Sequence, residues 1–446
     1  MKSILAIAAL LFLFPSALQA EEGTVSLKEA ISLALLNNNL VRAAGYEREA
    51  ADLGVSSSRS RWLPRVFLDE NFASTNSPTR VFMMKLDQGR FTQNDFLIDN
   101  LNHPASASDF RTAFTLEQPL FDMGIVYGTG MSKAEAEEKN LALEGRREDT
   151  GFMVFSLYLD AQKTSEALDA AEEAVRDARE HLRLAKVRNE AGTGLKSDEL
   201  RALSFLAEME QQEITAKNNV ILAGMRLSLA TGGKAGDSLG IREPVSDMPL
   251  SLGENDLLSL AVKRRKDLKV MEKEKEKADI GVKMAGSAFL PTLYGSAAYQ
   301  MNDRNTPFGR DNDSWMVGAN LRWELFDGTR RLNDRARAKA LRDSAREYLE
   351  QQTREITLQV RESLLRRDEA AKRLEVARAS RLNAEEGLRL IEKRFAGSLA
   401  TMVEVLDAQT ALNRTRVNVV ETESDYALAT ARVLHAAGIF LEEVMK

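Results

Sequence analysis

Four stretches of the chain alternate apolar and polar residues, which is the pattern of a β-strand with two different faces. In WMVGANLRWEL, 315–325, one side carries Trp, Val, Ala, Leu, Trp and Leu, and the other carries Met, Gly, Asn, Arg and Glu. FRTAFTLEQPL, 110–120, and LYGSAAYQM, 293–301, alternate in the same way, whereas Glu70 interrupts the apolar side of VFLDENF, 66–72. The predicted β-hairpins are 66–120 and 292–325.

The rest of the chain has the character of long helices. None of the nine prolines lies in 120–243 or 308–446, and proline disrupts the interior of a helix. Both blocks are rich in Ala, Leu, Glu, Arg and Lys, which are strong helix formers. Each therefore predicts a helix of nearly 70 residues, roughly 100 Å long, a length typical of coiled coils and helical tubes. The predicted helices are 24–62, 123–190, 197–230, 252–290, 328–395 and 400–437.

The chain contains an internal duplication. ADLGV, 51–55, returns as ADIGV 227 residues later, and Pro64 corresponds to Pro291 at the same spacing. The motifs LFD and AG also recur, now 205 residues apart, because the first copy has 22 more residues between LP and LFD. Internal repeats define the organisation of such a chain. The predicted segments are a first repeat, 21–230, a Gly- and Pro-rich linker, 231–250, and a second repeat, 251–446.

The N-terminus has the pattern of an export signal. Lys2 precedes an apolar run from Ile4 to Phe14, and small residues lead to a cleavage site after Ala20. This is a secretory signal peptide, 1–20, because the apolar run is shorter than the ~20 residues of a membrane-spanning helix. The predicted mature chain is therefore exported.

Composition excludes several classes of function. The net charge of −6 lacks the basic excess of a nucleic-acid-binding surface. There is no cysteine, which excludes disulfides, thiolate metal sites and a lipid-modified N-terminal cysteine. The three histidines are scattered, and no nucleophile, phosphate loop or metal-ligand spacing is present. No cofactor, metal site or enzyme activity is predicted.

The alternating strands predict a membrane-facing sheet. An apolar face of about ten residues with Trp315 and Trp323 at its ends suits the lipid-facing wall of a β-barrel. A soluble sheet packed on the helices is the alternative. Four strands cannot close a barrel, and open sheet edges are not stable in hydrocarbon. Several chains would then have to pool their strands, and the sequence alone does not choose between two and three.

Taken together, the duplicated order of motifs and VEVLDAQTALNRT, 403–415, resemble the TolC-like outer-membrane efflux proteins. The resemblance implies a mainly α-helical homotrimer with a small β part: four strands per chain form a twelve-stranded barrel in outer-membrane lipid, and the helices continue it as a periplasmic tube. It implies a passive exit duct for tripartite efflux or type I secretion. The implied partners are a periplasmic adaptor (membrane fusion) protein and an inner-membrane transporter of the resistance-nodulation-division, ABC or major facilitator type.

A non-channel periplasmic scaffold or adaptor is the alternative function. An adaptor has one helical hairpin surrounded by lipoyl-like and barrel domains, whereas this sequence predicts two hairpins and four strands. The resemblance does not identify the transported substrate.

The resemblance also implies a periplasmic gate just after the second AG turn. Its acidic residues would be Glu404 and Asp407, with Asp198 or Glu199 as first-copy counterparts. Three chains would present stacked acidic rings, which favour cations. The alternative is that acids in a first helical turn only interact with the helix dipole. The family's closing arginine after the turn is absent here, since Leu399 and Ala400 occupy those positions.

Two further sets of residues are predicted to be functional. Small residues at the two AG turns would let the adaptor's helices approach, although they could equally serve only as helix caps. In the 22-residue insertion, apolar residues would fold over the external mouth and narrow it, unless the insertion is only a variable surface loop. The turn candidates are Gly192, Thr193, Gly194, Lys196, Gly397, Ser398 and Leu399. The insertion candidates are Phe82, Met83, Phe91 and Phe96.

Overall fold

The computed structural model describes residues 23–234, 236–245 and 250–446. The predicted signal peptide lies outside these residues. The described chain divides into two compact units. Unit 1 contains the described residues up to Ala44, Leu143–Lys266 and Thr353–Lys446, and unit 2 contains Gly45–Ala142 and Asp267–Gln352.

Most of the described residues are helical. The helices are α1 Leu27–Asn37, α2 Asn39–Ser60, α3 Pro78–Asp87, α4 Ile98–Asn102, α5 Met123–Glu190, α6 Lys196–Ala230, α7 Glu254–Arg264, α8 Lys266–Ser287, α9 Arg330–Ala396, α10 Met402–Ala436 and α11 Phe440–Val444. The strands are β1 Thr24–Val25, β2 Arg65–Thr75, β3 Ala107–Phe121, β4 Gly240–Ile241, β5 Thr292–Asp303 and β6 Asn312–Arg322. The prediction of a mainly helical chain with four long strands is confirmed. Among the described residues, no helix is both long and apolar enough to cross a membrane.

Helix lengths repeat between the two copies. Helices α1 and α7 have 11 residues each, α2 and α8 have 22, and α6 and α10 have 35. The sequence predicted one helix before each hairpin, but the structure has two. Asn38 and Arg265 adopt extended backbone, with ψ of 127° and 125°, and this interrupts the helix at the same place in both copies.

The same junction is built twice with different side chains. Asn38 Nδ2 donates to the carbonyl of Ala230 at the end of α6, at 3.0 Å. In the second copy, Arg265 Nη1 donates to the carbonyl of Ala436 at the end of α10, at 3.4 Å. An amide and a guanidinium thus satisfy equivalent carbonyls that a helix end leaves without a backbone partner.

The segment between the copies contributes to the core of unit 1. β4 pairs in parallel with β1, so that Val25 lies opposite Ile241. The Tyr158 hydroxyl donates to the carbonyls of Val25, at 3.2 Å, and Glu243, at 2.7 Å. Because Tyr158 is completely buried, these bonds satisfy a hydroxyl that would otherwise be costly to bury. The predicted linker therefore contains a short strand.

In unit 2 the long strands form one antiparallel sheet in the order β2-β3-β5-β6. Residues directly opposite one another project from the same face. One row across the sheet is Leu68, Phe114, Tyr299 and Trp315, and the next row on that face is Val66, Leu116, Ala297 and Val317. Rows on the other face are Asn71, Arg111, Asn302 and Asn312, and Asp69, Ala113, Gln300 and Ser314. The sheet therefore has an apolar face and a polar face, as the alternation predicted.

Glu70 lies on the apolar face of this sheet. Its carboxylate accepts a hydrogen bond from the hydroxyl of Thr112, its direct neighbour on β3, at 2.5 Å. The charged residue that interrupts the apolar face thus has a hydrogen-bond partner on the neighbouring strand.

Candidate functional site

In unit 1, the two helix turns that carry AG in the sequence lie beside one another. The first connects α5 to α6 and the second connects α9 to α10. Together they line a groove of about 550 Å³. Beneath it, Ala185 and Ala202 of the first hairpin pack with Met402 and Val405 of the second in one buried cluster. The structure therefore brings the predicted turn candidates of both copies into one place, which we call the paired turns (Gly192–Leu195 and Gly397–Thr401).

The first turn depends on two glycines for different reasons. Gly192 has φ of +73°, the left-handed conformation that favours glycine at a helix end. At Gly194, a Cβ would stand 2.9 Å from Cβ of Arg188 and 3.1 Å from its carbonyl carbon. The first position is constrained by backbone conformation and the second by space.

The second turn uses a serine where the first has glycine. Leu399 N donates to the carbonyl of Arg394, as Thr193 N does to that of Arg188, which shows the same closure 206 residues apart. Ser398, with φ of +59°, is accordingly the counterpart of Gly192. The sequence paired Gly192 with Gly397 at a spacing of 205. This alignment is wrong by one residue at the turn. Equivalent positions are those with the same backbone hydrogen bond and the same left-handed φ, and these do not both carry glycine.

Arg188 joins the two turns, and sequence reasoning missed it. Its guanidinium donates to the carbonyl of Phe395 and to Oγ of Ser398, both at 2.8 Å, and lies 4.4 Å from the centre of the Phe395 ring. Its counterpart, Arg394, donates instead to the carbonyl of Leu399 in its own turn, at 3.1 Å. The arginines precede the turns, whereas the resemblance directed attention to positions after them. The corrected spacing of 206 would have revealed them.

Two of the four gate candidates have partners within the chain. Glu404 and Thr401 form a capping box at the start of α10, and the Thr401 backbone N–H donates to the carboxylate at 2.7 Å. This bond lowers the pKa of Glu404. Glu199 accepts from Lys196 and from Asn189, both at 2.8 Å, and Lys196 lowers the pKa of Glu199.

The other two gate candidates differ in this respect. Asp198 and Asp407 side chains make no hydrogen bond or ion pair with the residues that the structure describes. Asp198 lines the groove between the paired turns, and Asp407 is exposed one turn further along α10 than Glu404. Their carboxylates are therefore available to ions, whereas those of Glu199 and Glu404 are also used to hold helix starts.

The turn candidates are mostly accessible. Gly192, Thr193, Gly397 and Ser398 are exposed, and Leu399 retains 71% of its surface. Such an exposed, small-residue surface is open to a protein partner.

The insertion candidates lie in unit 2, between β2 and β3. Phe91 packs edge-on against Phe82 and Phe96, with ring centroids 4.7 Å and 5.0 Å apart. Met83 is exposed. The insertion is a folded element with its own aromatic cluster.

Comparisons with known proteins give the family context of this architecture. The family model described as "Outer membrane efflux protein" matches residues 30–233 and 257–439. The two matches begin 227 residues apart, at the spacing of the internal duplication. Together they cover most of the chain.

Individual relatives match over nearly their full lengths. The proteases secretion protein PrtF of Dickeya chrysanthemi is 23% identical, over 94% of this chain and 90% of that protein. The alkaline protease secretion protein AprF of Pseudomonas aeruginosa is also 23% identical, over 95% and 87%. The outer membrane channel CmeC of Campylobacter jejuni is a similar solved structure, with a TM-score of 0.78 at 18% identity, covering 93% of this chain and 86% of that one. The structural likeness shows the fold over most of the chain.

Proposed function

The chain belongs to the outer membrane efflux protein family, and from that premise we propose that three copies form one passive exit duct through the outer membrane. The family's members are outer-membrane channels of efflux and secretion systems. In the proposed assembly, a periplasmic adaptor connects the duct to an inner-membrane transporter, which supplies the energy. The transporter is of the resistance-nodulation-division, ABC or major facilitator type.

The observation that supports this proposal best is the exposed apolar face of the sheet. Trp315, Val317 and Leu321 keep 77%, 71% and 62% of their surface exposed in the single chain. Large exposed apolar patches mark a membrane or a protein interface. The outer strands β2 and β6 each pair on one side only within the described sheet. When chains pool their strands, the backbone N–H and C=O groups of both edges form hydrogen bonds, and lipid covers the apolar face.

The alternative of a periplasmic scaffold or adaptor leaves this face unexplained. A soluble protein rarely exposes a continuous apolar surface of several strands. The second alternative, a soluble sheet packed on the helices, would bury Val317 and Leu321 against helical residues, whereas both are exposed.

We further propose that the cargo is protein. Two relatives that match almost the whole chain, PrtF and AprF, are protease secretion proteins by name. In this proposal, the inner-membrane transporter delivers a polypeptide to the duct. We assign the periplasmic entrance to the paired turns, with the acidic residues Asp198, Glu199, Glu404 and Asp407 beside it, and we assign adaptor contact to the exposed turn residues.

A pair of lysine substitutions on one strand tests the membrane assignment. Val317→Lys places a charge on the apolar face, and Asn320→Lys places the same charge on the polar face of β6. A lysine facing the middle of a bilayer costs about 2–4 kcal/mol, whereas lumen-facing substitutions are tolerated. We expect Val317→Lys to reduce the heat-sensitive oligomer seen on SDS gels of outer-membrane fractions, and Asn320→Lys to leave it intact. Equal assembly of the two variants, or a wild-type protein that migrates as a monomer without boiling, would contradict the proposal.

A further inference from the structure

The insertion between β2 and β3 is fastened to the sheet by a buried polar contact. Gln88, at the end of α3, is 2% exposed, and its Nε2 donates to Oδ1 of Asp109 and to the carbonyl of Ser108, both at 2.8 Å. Asn302 on β5 donates to Oδ2 of the same carboxylate at 2.8 Å. Each oxygen of Asp109 thus has a partner, one from the insertion and one from the sheet.

A second contact joins the insertion to a different strand. Asn312 on β6 donates from Nδ2 to the carbonyl of Asp87 at 3.1 Å. The next glycine, Gly89, has φ of +66°, and a Cβ built there would stand 3.3 Å from Cβ of Asn312. The backbone after α3 therefore lies directly on the start of β6.

The strand register shows which face of the sheet these contacts use. Asn302 lies opposite Arg111 on β3 and opposite Asn312 on β6. Asp109 precedes Arg111 by two residues and therefore projects from the same face. The three strand side chains that make these hydrogen bonds, Asp109, Asn302 and Asn312, thus belong to the polar face.

The insertion is also held together internally. Lys85 donates to Asp95 at 2.6 Å, and this bond, together with those from Thr92, lowers the pKa of the Asp95 carboxyl to about 2. Asp95 forms a capping box with Thr92, and Arg90 donates from Nε to Oε1 of Gln88 at 2.5 Å. Together with the edge-on contacts of Phe82, Phe91 and Phe96, these bonds make the insertion a small folded cap, which can keep one position on the sheet.

We propose that this cap, residues 78–102, lies over the pore side of the sheet and narrows the external exit, and that Gln88, Asp109 and Asn302 are the latch that positions it. The proposal rests on the proposed function, because the polar face lines the aqueous interior only in a closed barrel. A solvated variable loop would not need a buried glutamine whose amide nitrogen and oxygen both have partners. The assembly repeats the cap in each chain, so its caps meet around the exit and limit the size of what leaves.

The latch can be opened with a single charge. Gln88→Glu removes both donated hydrogen bonds and places a second carboxylate against Asp109. Gln93→Glu is the matched control, because it adds the same charge to an exposed position of the same cap. Deletion of 80–101 gives the conductance of an exit without the cap. In planar-bilayer recordings of purified oligomers, we expect Gln88→Glu to raise single-channel conductance to that of the deletion, and Gln93→Glu to remain at the wild-type value.

A disulfide provides the reverse experiment. The chain has no cysteine, so Gly89→Cys and Asn312→Cys would introduce the only thiols. Their Cβ atoms, 3.3 Å apart, are close to the usual ~3.5–4.5 Å of a disulfide. Because Gly89 has a φ of +66°, the cysteine there adds backbone strain, and the reduced variant is the baseline that contains this strain. Added to Gln88→Glu, the oxidised pair should restore the wild-type conductance, and a reductant should release it again.

The possible outcomes separate the two proposals. Wild-type oligomers that conduct, together with a deletion that leaves conductance unchanged, would show that the cap lies off the pore and would overturn this inference alone. A deletion that raises conductance while Gln88→Glu does not would overturn the latch. Wild-type protein that forms neither oligomers nor channels would overturn the proposed function and this inference with it.

Discussion

The two copies of the duplicated chain agree along their helices and differ at their ends. Helix lengths before the hairpins and after the turns are identical between copies. The differences are concentrated at the hairpin tip, where only the first copy carries the cap, and at the turns, where Gly192 and Leu195 are replaced by Ser398 and Thr401. Packed helices must keep their length for their contacts to stay in register, whereas tips and turns are free to specialise.

The turns also show that the same residue type at equivalent positions can make different contacts. Arg188 and Arg394 stand at equivalent helix positions, yet only Arg188 reaches the other turn. In the proposed trimer, the second turn of one chain would have the first turn of the next chain as its neighbour.

The largest effect on the free energy of unfolding is expected from substituting the glycines that follow α6 and α10. Gly232 has φ of +89°, and a Cβ would stand 2.5 Å from Cβ of Asn37; Gly438 has φ of +71°, and a Cβ would stand 3.0 Å from N of Arg265. We expect Gly232→Ala to lower the free energy of unfolding by about 2–4 kcal/mol, from backbone strain and overpacking together. Gly438→Ala should cost less, about 1–2 kcal/mol, mainly from strain.

Gly236→Ala is the control for those variants. Its φ is +103° and a Cβ would meet nothing within 4 Å, so it measures strain alone. Thermal unfolding followed by circular dichroism ranks the three variants. An equal cost for Gly232→Ala and Gly236→Ala would show that the contact with α1 does not matter.

Substitutions of Arg188 and Arg394 are expected to have smaller effects on the free energy of unfolding, and these effects should differ from each other. Arg188→Ala removes two hydrogen bonds and a ring contact that join the turns, and we expect a loss of about 1–2 kcal/mol. Arg394→Ala removes one bond within an exposed turn and should cost less. Arg188→Lys should not restore stability, because an ammonium cannot reproduce the planar fork. Denaturant unfolding compares the variants, and equal costs for the two alanine substitutions would contradict the assigned asymmetry.

Substitutions at the two helix starts after the turns should change the free energy of unfolding by a similar or smaller amount. Thr401→Ala removes an N-cap and should cost about 1 kcal/mol. Leu195→Ser should stabilise the first copy, since Asp198 already stands at the third helical position and the new serine completes a capping box. Unfolding midpoints of both variants check the prediction, and a destabilising Leu195→Ser would contradict it.

The cap on α10 should also depend on pH. The pKa of Glu404 is lowered from its ordinary value of 4.5, so its carboxylate stabilises the folded state above that pH and loses this contribution as pH falls through the lowered value. The penalty of Thr401→Ala should therefore be full at neutral pH and shrink below pH 4.5. A penalty that is constant down to the acid limit of folding would exclude the carboxylate from the cap.

The smallest structural effect is expected from the gate acids. Replacing Glu404 and Asp407 by Ala should lower cation preference and remove block by multivalent cations in bilayer recordings. Asp407→Asn alone should produce much of this change with unaltered unfolding, because its side chain has no partner in the described chain. Persistence of both properties in the double variant would move the gate elsewhere.

The sequence predicted the parts of this fold that depend on periodicity. Alternation located four strands and their two faces, and proline-free composition located the long helices. It missed the breaks at Asn38 and Arg265, because a single extended residue leaves no periodic signal. It also misaligned the turns by one residue, since the left-handed position is occupied by Ser398 and not by glycine.

The candidate site was predicted less completely than the fold. The turn residues follow from helix ends, which the sequence marks. The contacts of Arg188 and of Gln88 join segments more than 200 and about 20 residues apart, and such pairings are set by packing that no local pattern encodes. The sequence analysis selected Phe82, Met83, Phe91 and Phe96 for the external mouth, a role that stays a prediction. It indicated neither the packing of three of these rings against one another nor the latch.

Crosslinking between the edge strands tests the central claim most directly. Since the chain has no cysteine, one cysteine can be placed on β2, at Phe67, Asp69 or Asn71, and one on β6, at Met316, Gly318 or Asn320. All six positions belong to the polar face. If three chains close one barrel, oxidation of outer membranes should crosslink neighbouring chains in those variants whose two cysteines are in register. The products should be covalent dimers and trimers and nothing larger. Single-cysteine variants should give no such products. If every pairing leaves only monomers, or if covalent products larger than the trimer form, the strands are not pooled as proposed.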